Sequence, residues 1–201
     1  MEQRDFIFII GPSGVGKTTL AKNLFNHYNS VYIEQSMIPE FNSLDGKTEM
    51  TGELEEKTCW VATVALLKSF NSLGYKNVLG LDFNDLRTRN IPEEFHGYNY
   101  ITLKLICSDY EQNLSQMINR GEDGLVDSVL LEETTVKVMN RPELVNEYRI
   151  DVAGKTPAEV VKEAVLLIDN AETITEYEYV KPDRTQFYSW IYSDGLRTEF
   201  E

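Results

Sequence analysis

Apolar positions along this chain follow two rhythms. Phe6-Ile7-Phe8-Ile9-Ile10 is an unbroken run of β-favouring residues, the pattern of a strand buried on both faces. From residue 17 to 28 the spacing turns helical, with Leu20, Leu24 and Phe25 predicted to face inward. Val31, Tyr32 and Ile33 predict a short second strand ending at Glu34. Residues 36–52, broken by Pro39, Asn42, Asp45-Gly46 and Gly52, predict a loop. A long helix is expected over 53–72, apolar around much of its circumference (Leu54, Trp60, Val61, Val64, Leu67, Phe70) and stopped by Gly74.

The alternation continues. Residues 77–81 predict a third strand ending at Asp82, and 100–107 a fourth. Ser108 and Glu111 have the spacing of a capping box, opening a helix that carries Tyr110, Leu114, Met117 and Ile118. A polar stretch, Arg120 to Gly124, separates it from a helix expected over 128–139. Residues 148–152 predict a fifth strand. Thr156-Pro157-Ala158-Glu159 joins a cap, a proline at the first helical position and a glutamate at the third, ahead of a stripe of Val160, Val161, Ala164, Val165 and Ile168. Strands alternating with helices predict an α/β fold, a parallel sheet covered by helices on both faces. Ligands of such sheets bind at the carboxyl ends of the strands. Glu34, Asp82 and the loop after Ile10 all lie at such ends.

Residues 171–201 break the rhythm. They hold seven of the chain's 22 aromatics and seven acids against three bases, too apolar for a solvated tail. The expectation is a domain over 1–170 and a C-terminal extension over 171–201 that packs on it or on a partner subunit. An acceptor-pocket cover and a homodimer contact are the two functional readings of that extension, with Trp190 as the reporter; packing on the flank of the sheet is the plain one.

Composition narrows the partners. The 201 residues are 42% hydrophobic and 26% charged, ordinary for a globular chain, with a formal charge of -14. So acidic a surface repels phosphate backbones and anionic membranes, which disfavours a general nucleic-acid binder but leaves room for a local basic cleft. Cys59 and Cys107 lie far apart in apolar stretches and predict buried thiols in a reducing compartment. His27 and His96 lack the neighbours of a zinc site. The first apolar run, five residues long, is too short for a signal or membrane segment, so a cytoplasmic protein is expected.

The chemistry concentrates in Gly11-Pro12-Ser13-Gly14-Val15-Gly16-Lys17-Thr18, which fits the phosphate-loop pattern G-x-x-x-x-G-K-[ST] between strand and helix. Glycines let backbone N–H groups converge on an anion, and the helix that follows aims its positive end at the same point. Gly11, Ser13, Gly14, Val15, Gly16, Lys17, Thr18 and Thr19 are therefore the expected contacts to the nucleotide phosphates. Lys17 would reach the terminal phosphates, and the Thr18 hydroxyl would ligate Mg2+. Asp82, at a neighbouring strand end, supplies the second oxygen ligand for magnesium.

With these residues in view, the chain resembles small P-loop kinases of the nucleoside, nucleotide and metabolite group. "GPSGVGKTTLAKNL" is similar to the first motif of guanylate kinases and several metabolite kinases. "LDFNDLRTRN" resembles the acid-then-arginine segment of polynucleotide and small-molecule kinases. "SDYEQNLSQMINRG" resembles the helix entering their lid, and "IDVAGKTPAEVVKEAVLLI" their last strand, adenine-side loop and final helix. The resemblance implies a P-loop NTPase fold with a five-stranded parallel sheet and a short lid at about 120–127. It implies ATP as donor, Arg120 against the ATP or its phosphates, and Gly154 and Lys155 bordering the base. Residues 121–127 contain acids and no base, unlike the arginine-bearing lids of the family. Residues 36–52 contain no arginine, which argues against guanylate as acceptor.

The acceptor side stays open at this level. A hydroxyl acceptor needs a base, for which Glu34 is placed; a phosphate acceptor needs arginines, and Arg87 and Arg89 after Asp82, or Arg141 and Arg149, are candidates. Lys17, Asp82, Glu34 and Arg120 are the expected catalytic set. The favoured function is transfer of the γ-phosphate of ATP to a small molecule. A regulatory ATPase or switch is the alternative, and a polynucleotide kinase a third reading weakened by the acidic surface.

Overall fold

A computed structural model describes residues 3–43, 45–47, 49–119 and 128–189. Five strands form one sheet: β1 (Phe6–Ile10), β2 (Tyr32–Glu34), β3 (Val78–Leu81), β4 (Tyr100–Ile106) and β5 (Glu147–Asp151). Their order is β2-β3-β1-β4-β5, and every pairing is parallel. Parallel strands need crossovers, supplied here by α1 (Lys17–Tyr28), α2 (Gly52–Ser72), α5 (Tyr110–Ile118) with α6 (Ser128–Asn140), and α7 (Pro157–Asn170) closing the chain's helical part. Two one-turn helices, α3 (Asp85–Thr88) and α4 (Ile91–Glu94), lie between β3 and β4.

The unbroken apolar runs are explained by burial on both faces. Ile7, Ile9, Leu79, Leu81, Ile101 and Leu103 share a core with Leu20 and Leu24 of α1 and Val160 and Ala164 of α7. The alternate residues Phe6, Phe8, Val78 and Tyr100 share another with Trp60, Val64 and Leu67 of α2. At Gly80 α2 comes so close that a Cβ would stand 3.1 Å from Leu67 Cδ1.

Several local expectations need correction. Ser108 does not cap α5: Asp109 does, accepting from Gln112 N, while Ser108 N donates to Asp151. Aspartate one residue nearer the helix reaches the same class of orphan donor. Phe25 sits at the rim, 39% exposed, and Ala21 takes the inner position with Leu20 and Leu24. Val61 of α2 also faces outward. Cys107 is buried, whereas Cys59 is only partly so. The capping box at Thr156 and Glu159 is present in full.

Beyond α7 the chain does not turn back into solvent. Buried Arg4 donates from Nε to Ile168 O and from Nη1 to Thr173 Oγ1, and Nη2 reaches Ala171 O, so one guanidinium closes the helix's carboxyl end and starts the extension on its path. From there residues 171–189 run as a strap over the flank. Gly97 N donates to Thr175 O; the hydroxyls of Tyr177 and Tyr179 donate to Pro92 O and Arg89 O; Phe187 is buried against Leu86 and Leu144. The strap reaches the carboxyl end of β3, where Leu86 N donates to Tyr188 O and Tyr188 N to Asp85 Oδ2. Trp190, the expected reporter, lies outside the described residues, as do Arg120 and the whole 120–127 lid segment. Among the described residues no helix is long and apolar enough to cross a membrane.

Candidate functional site

Because all five strands are parallel, the loops after β1, β2 and β3 emerge on one side. The turn after β1 runs through left-handed backbone at Gly14 (φ +82°) and Gly16 (φ +90°), conformations costly for residues with a Cβ. Space is equally restrictive at two glycines: a Cβ on Gly11 would stand 2.3 Å from Leu105 O, and one on Gly14 2.7 Å from Asn113 Oδ1. Gly16 is the cap of α1, makes no side-chain cap hydrogen bond, and no acid sits in the first turn. The helix therefore presents uncapped N–H donors and its positive end to whatever occupies the turn, a site suited to an anion.

Lys17 closes one side. Its Nζ donates to Pro12 O at 3.1 Å and stands 3.7 Å from Asp82 Oδ1. Asp82 itself adopts φ +64°, unusual for a residue with a side chain, so the end of β3 is bent to present this carboxylate beside the loop. Thr18 and Asp82 are hard oxygen donors of the kind that hold Mg2+ together with phosphate oxygens. That donor set fits the ion; among the described residues no cluster of three or more His, Cys, Asp or Glu forms an all-protein metal cage.

The glycine-rich turn is the shared wall of two cavities. One, of about 350 Å³, is bordered by Gly14 and Gly16 of the turn, Thr19 of α1, Gln116 of α5, Asn119 just beyond it, and Lys155. The other, of about 290 Å³, lies across the turn and is lined by Ser13, Lys17, Gln35, Asp82, Asn84 and Tyr188, with Phe83, Leu130 and Val138 as its apolar part. Gly154, next to Lys155 but not itself in the lining, donates its N–H to Gln112 Oε1, and Lys155 pairs with Glu163.

Glu34 ends β2 and receives hydrogen bonds from the hydroxyls of Tyr32 and, at 2.8 Å, Ser36. Burial first, then the Glu34 hydrogen bond and the Asp82 charge, push the Tyr32 phenol well above its ordinary pKa, so it acts as a donor and not as an acid. Of the arginines proposed from sequence, Arg87, Arg89 and Arg141 are turned elsewhere. Arg87 Nε donates to both oxygens of buried Glu56, at 2.9 and 2.8 Å. Burial pushes the Glu56 carboxyl up, and Arg87 offsets that only in part. Arg89 donates to Leu86 O and Pro182 O under the strap. Arg141 is fully buried between Asp85 (2.8 Å) and Glu147 (2.8 Å). Burial alone would lower its pKa, but the two carboxylates outweigh it and hold it above the ordinary guanidinium value.

Two contributors carry no sequence signal. Tyr188 belongs to the tail and reaches the second cavity only through the strap's path. Asn113, fully buried, has no hydrogen-bond partner for either side-chain amide atom among the described residues and stands directly behind Gly14. Its helical position reads as a polar surface residue, because nothing local announces that the turn will pack on it.

Comparison with known proteins matches this geometry to a family. A model described as AAA domain matches residues 1–190. No curated protein matches the chain in sequence. Among solved structures it is similar to a gluconokinase from Sinorhizobium meliloti, with 18% identity over 84% of this chain and 94% of that one and a TM-score of 0.62. A sugar kinase from Janibacter sp. superposes with a TM-score of 0.58, 18% identity and coverage of 85% and 96%. Thymidylate kinase from Candida albicans gives 0.55, 16%, 83% and 92%. The chain thus has the fold of P-loop small-molecule and nucleotide kinases.

Proposed function

The chain belongs to the AAA domain family, and from that premise we propose that it is an ATP- and magnesium-dependent phosphotransferase acting on a small-molecule acceptor. What carries the reading is the pair of cavities meeting at one phosphate loop, with Lys17 and Asp82 lining the second. A switch needs a nucleotide pocket alone; a transferase needs a donor pocket and an acceptor pocket that share the phosphate between them.

In this reading the purine lies in the larger cavity beside Lys155 and Gly154, and the phosphates on the amides of residues 11–19, with Arg120 of the lid segment on the donor side. Thr18 and Asp82 would hold the magnesium ion, which when bound would neutralise phosphate charge. The acceptor hydroxyl oxygen bonds to the γ-phosphorus, and the bond from that phosphorus to the bridging oxygen breaks. ADP leaves, and the hydroxyl proton passes to a carboxylate for which Glu34 is the candidate. Lys17 stabilises the charge that moves onto the bridging and terminal oxygens.

The AAA domain match gives the alternative, a regulatory ATPase, its own support. ADP release with magnesium-ATP and a panel of nucleosides, nucleotides, sugars and polyols separates the two. Release that depends on an acceptor supports the kinase; release indifferent to every acceptor, and stimulated by a protein partner, supports the switch.

A further inference from the structure

The charge of the acceptor is written into how the arginines near the smaller cavity are used. An acceptor bearing phosphate or carboxylate needs cations not already neutralised within the fold. Arg141, closing α6 beside this cavity, spends Nε on Asp85 Oδ1 and Nη1 and Nη2 on the two Glu147 oxygens, at 3.0 and 2.8 Å. Lys104, equally buried, sits 3.1 Å from the same glutamate. Two buried cations thus face two carboxylates, Asp85 and Glu147, and the cluster closes without net charge. Arg87 forks onto Glu56, and Arg89 lies between the carbonyls of Leu86 and Pro182 and the ring of Phe187.

Among the described residues lining the cavity, Lys17 is the one cation, and it belongs to the donor phosphates. The rest of the lining holds the Gln35 side chain, the Asn84 amide, which accepts from Leu86 N and donates to Ser189 Oγ, the Thr134 hydroxyl, which donates to Leu130 O and keeps its lone pairs, acids, and an apolar wall of Phe83, Leu130, Val138 and Tyr188. Amides and hydroxyls bind hydroxyl groups; an apolar wall binds the face of a ring.

We infer that the acceptor is a small uncharged hydroxyl compound of about one sugar ring in size, carrying neither phosphate nor carboxylate, and that Tyr188 of the strap forms its far wall. This rests on the kinase reading of the same site. The full chain with magnesium-ATP is assayed against two pools: uncharged monosaccharides, polyols and nucleosides, and the phosphorylated or carboxylated forms of the same skeletons. For the skeleton with the fastest acceptor-dependent ADP release, the uncharged form should lead by about tenfold or more in kcat/KM. A lead for the anionic form overturns the inference and leaves the kinase reading intact; ADP release indifferent to both pools overturns the kinase reading and the inference with it. Thr134→Arg, on a half-exposed helical position, places an unneutralised cation on the wall. It should shift the ratio toward the anionic form by about tenfold, and an unchanged ratio also overturns the assignment.

Discussion

The two sides of the phosphate loop handle polar groups in opposite ways. On the donor side the fold leaves donors unspent: α1 starts without a side-chain cap, and its first turn carries no acid to compete for an anion. On the acceptor side it spends nearly everything, closing Arg141, Asp85, Glu147 and Lys104 on one another and Arg87 on Glu56. Both sides are built of strong polar groups, so their presence alone says nothing about binding. A ligand is recruited where polar groups are left without internal partners, and the fold is held where they are paired.

That contrast predicts different consequences of removing one charge from each side. Arg141→Met leaves Asp85 without its cation and Glu147 with Lys104 alone, and should cost about 3–5 kcal/mol of stability, read by urea unfolding. Lys17→Ala removes a charge whose carboxylate neighbour, Asp82, stands 3.7 Å away and is itself more than a third exposed, so little of it is held in the fold. Its unfolding midpoint should stay near that of the parent while kcat/KM for ATP falls by about 10²–10³. A Lys17→Ala chain that binds magnesium-ATP as tightly as the parent would sink the donor-side reading. Tyr188→Ala widens the acceptor cavity and should raise the acceptor KM by about tenfold with the KM for ATP unchanged, since only one cavity loses a wall.

The smallest effect lies far from both cavities. Burial would raise the Asp5 carboxyl, but hydrogen bonds from Lys76, Asn99 N and Asn71 outweigh it and hold the pKa below the ordinary 3.8. Its contribution to stability is present above that ordinary value and is lost as pH falls through the depressed one. Asp5→Asn should therefore cost about 1 kcal/mol at neutral pH, with the difference from the parent vanishing as pH falls through the depressed value. A gap that persists in acid would mean that packing, not charge, is what Asp5 supplies.

Much of this was legible before folding. The run Phe6–Ile10 reads as a doubly buried strand because no polar residue interrupts it, and the structure buries all five residues. Thr156 and Glu159 read as a capping box because both partners of that device lie within four residues. Asp82 at the end of β3 was visible as a carboxylate at a strand end, though not the φ of +64° that aims it. Ser108 reads as a cap where Asp109 serves, because two adjacent residues able to accept from the same turn differ only in the path of the chain before them. Short helices at 85–88 and 91–94 went unseen, since four residues are too few to show a period.

What the sequence determined by itself was whatever acts over a few residues: the strand and helix rhythm, the caps, and a glycine-rich turn whose conformations admit little else. Only the tertiary structure decided which charges are spent. Arg87 meets a glutamate 31 residues earlier, and Asp85 meets an arginine 56 residues later and a backbone N–H 103 residues later. An arginine that holds a ligand and one that holds the fold are the same residue in sequence, and burial beside a distant carboxylate is what separates them.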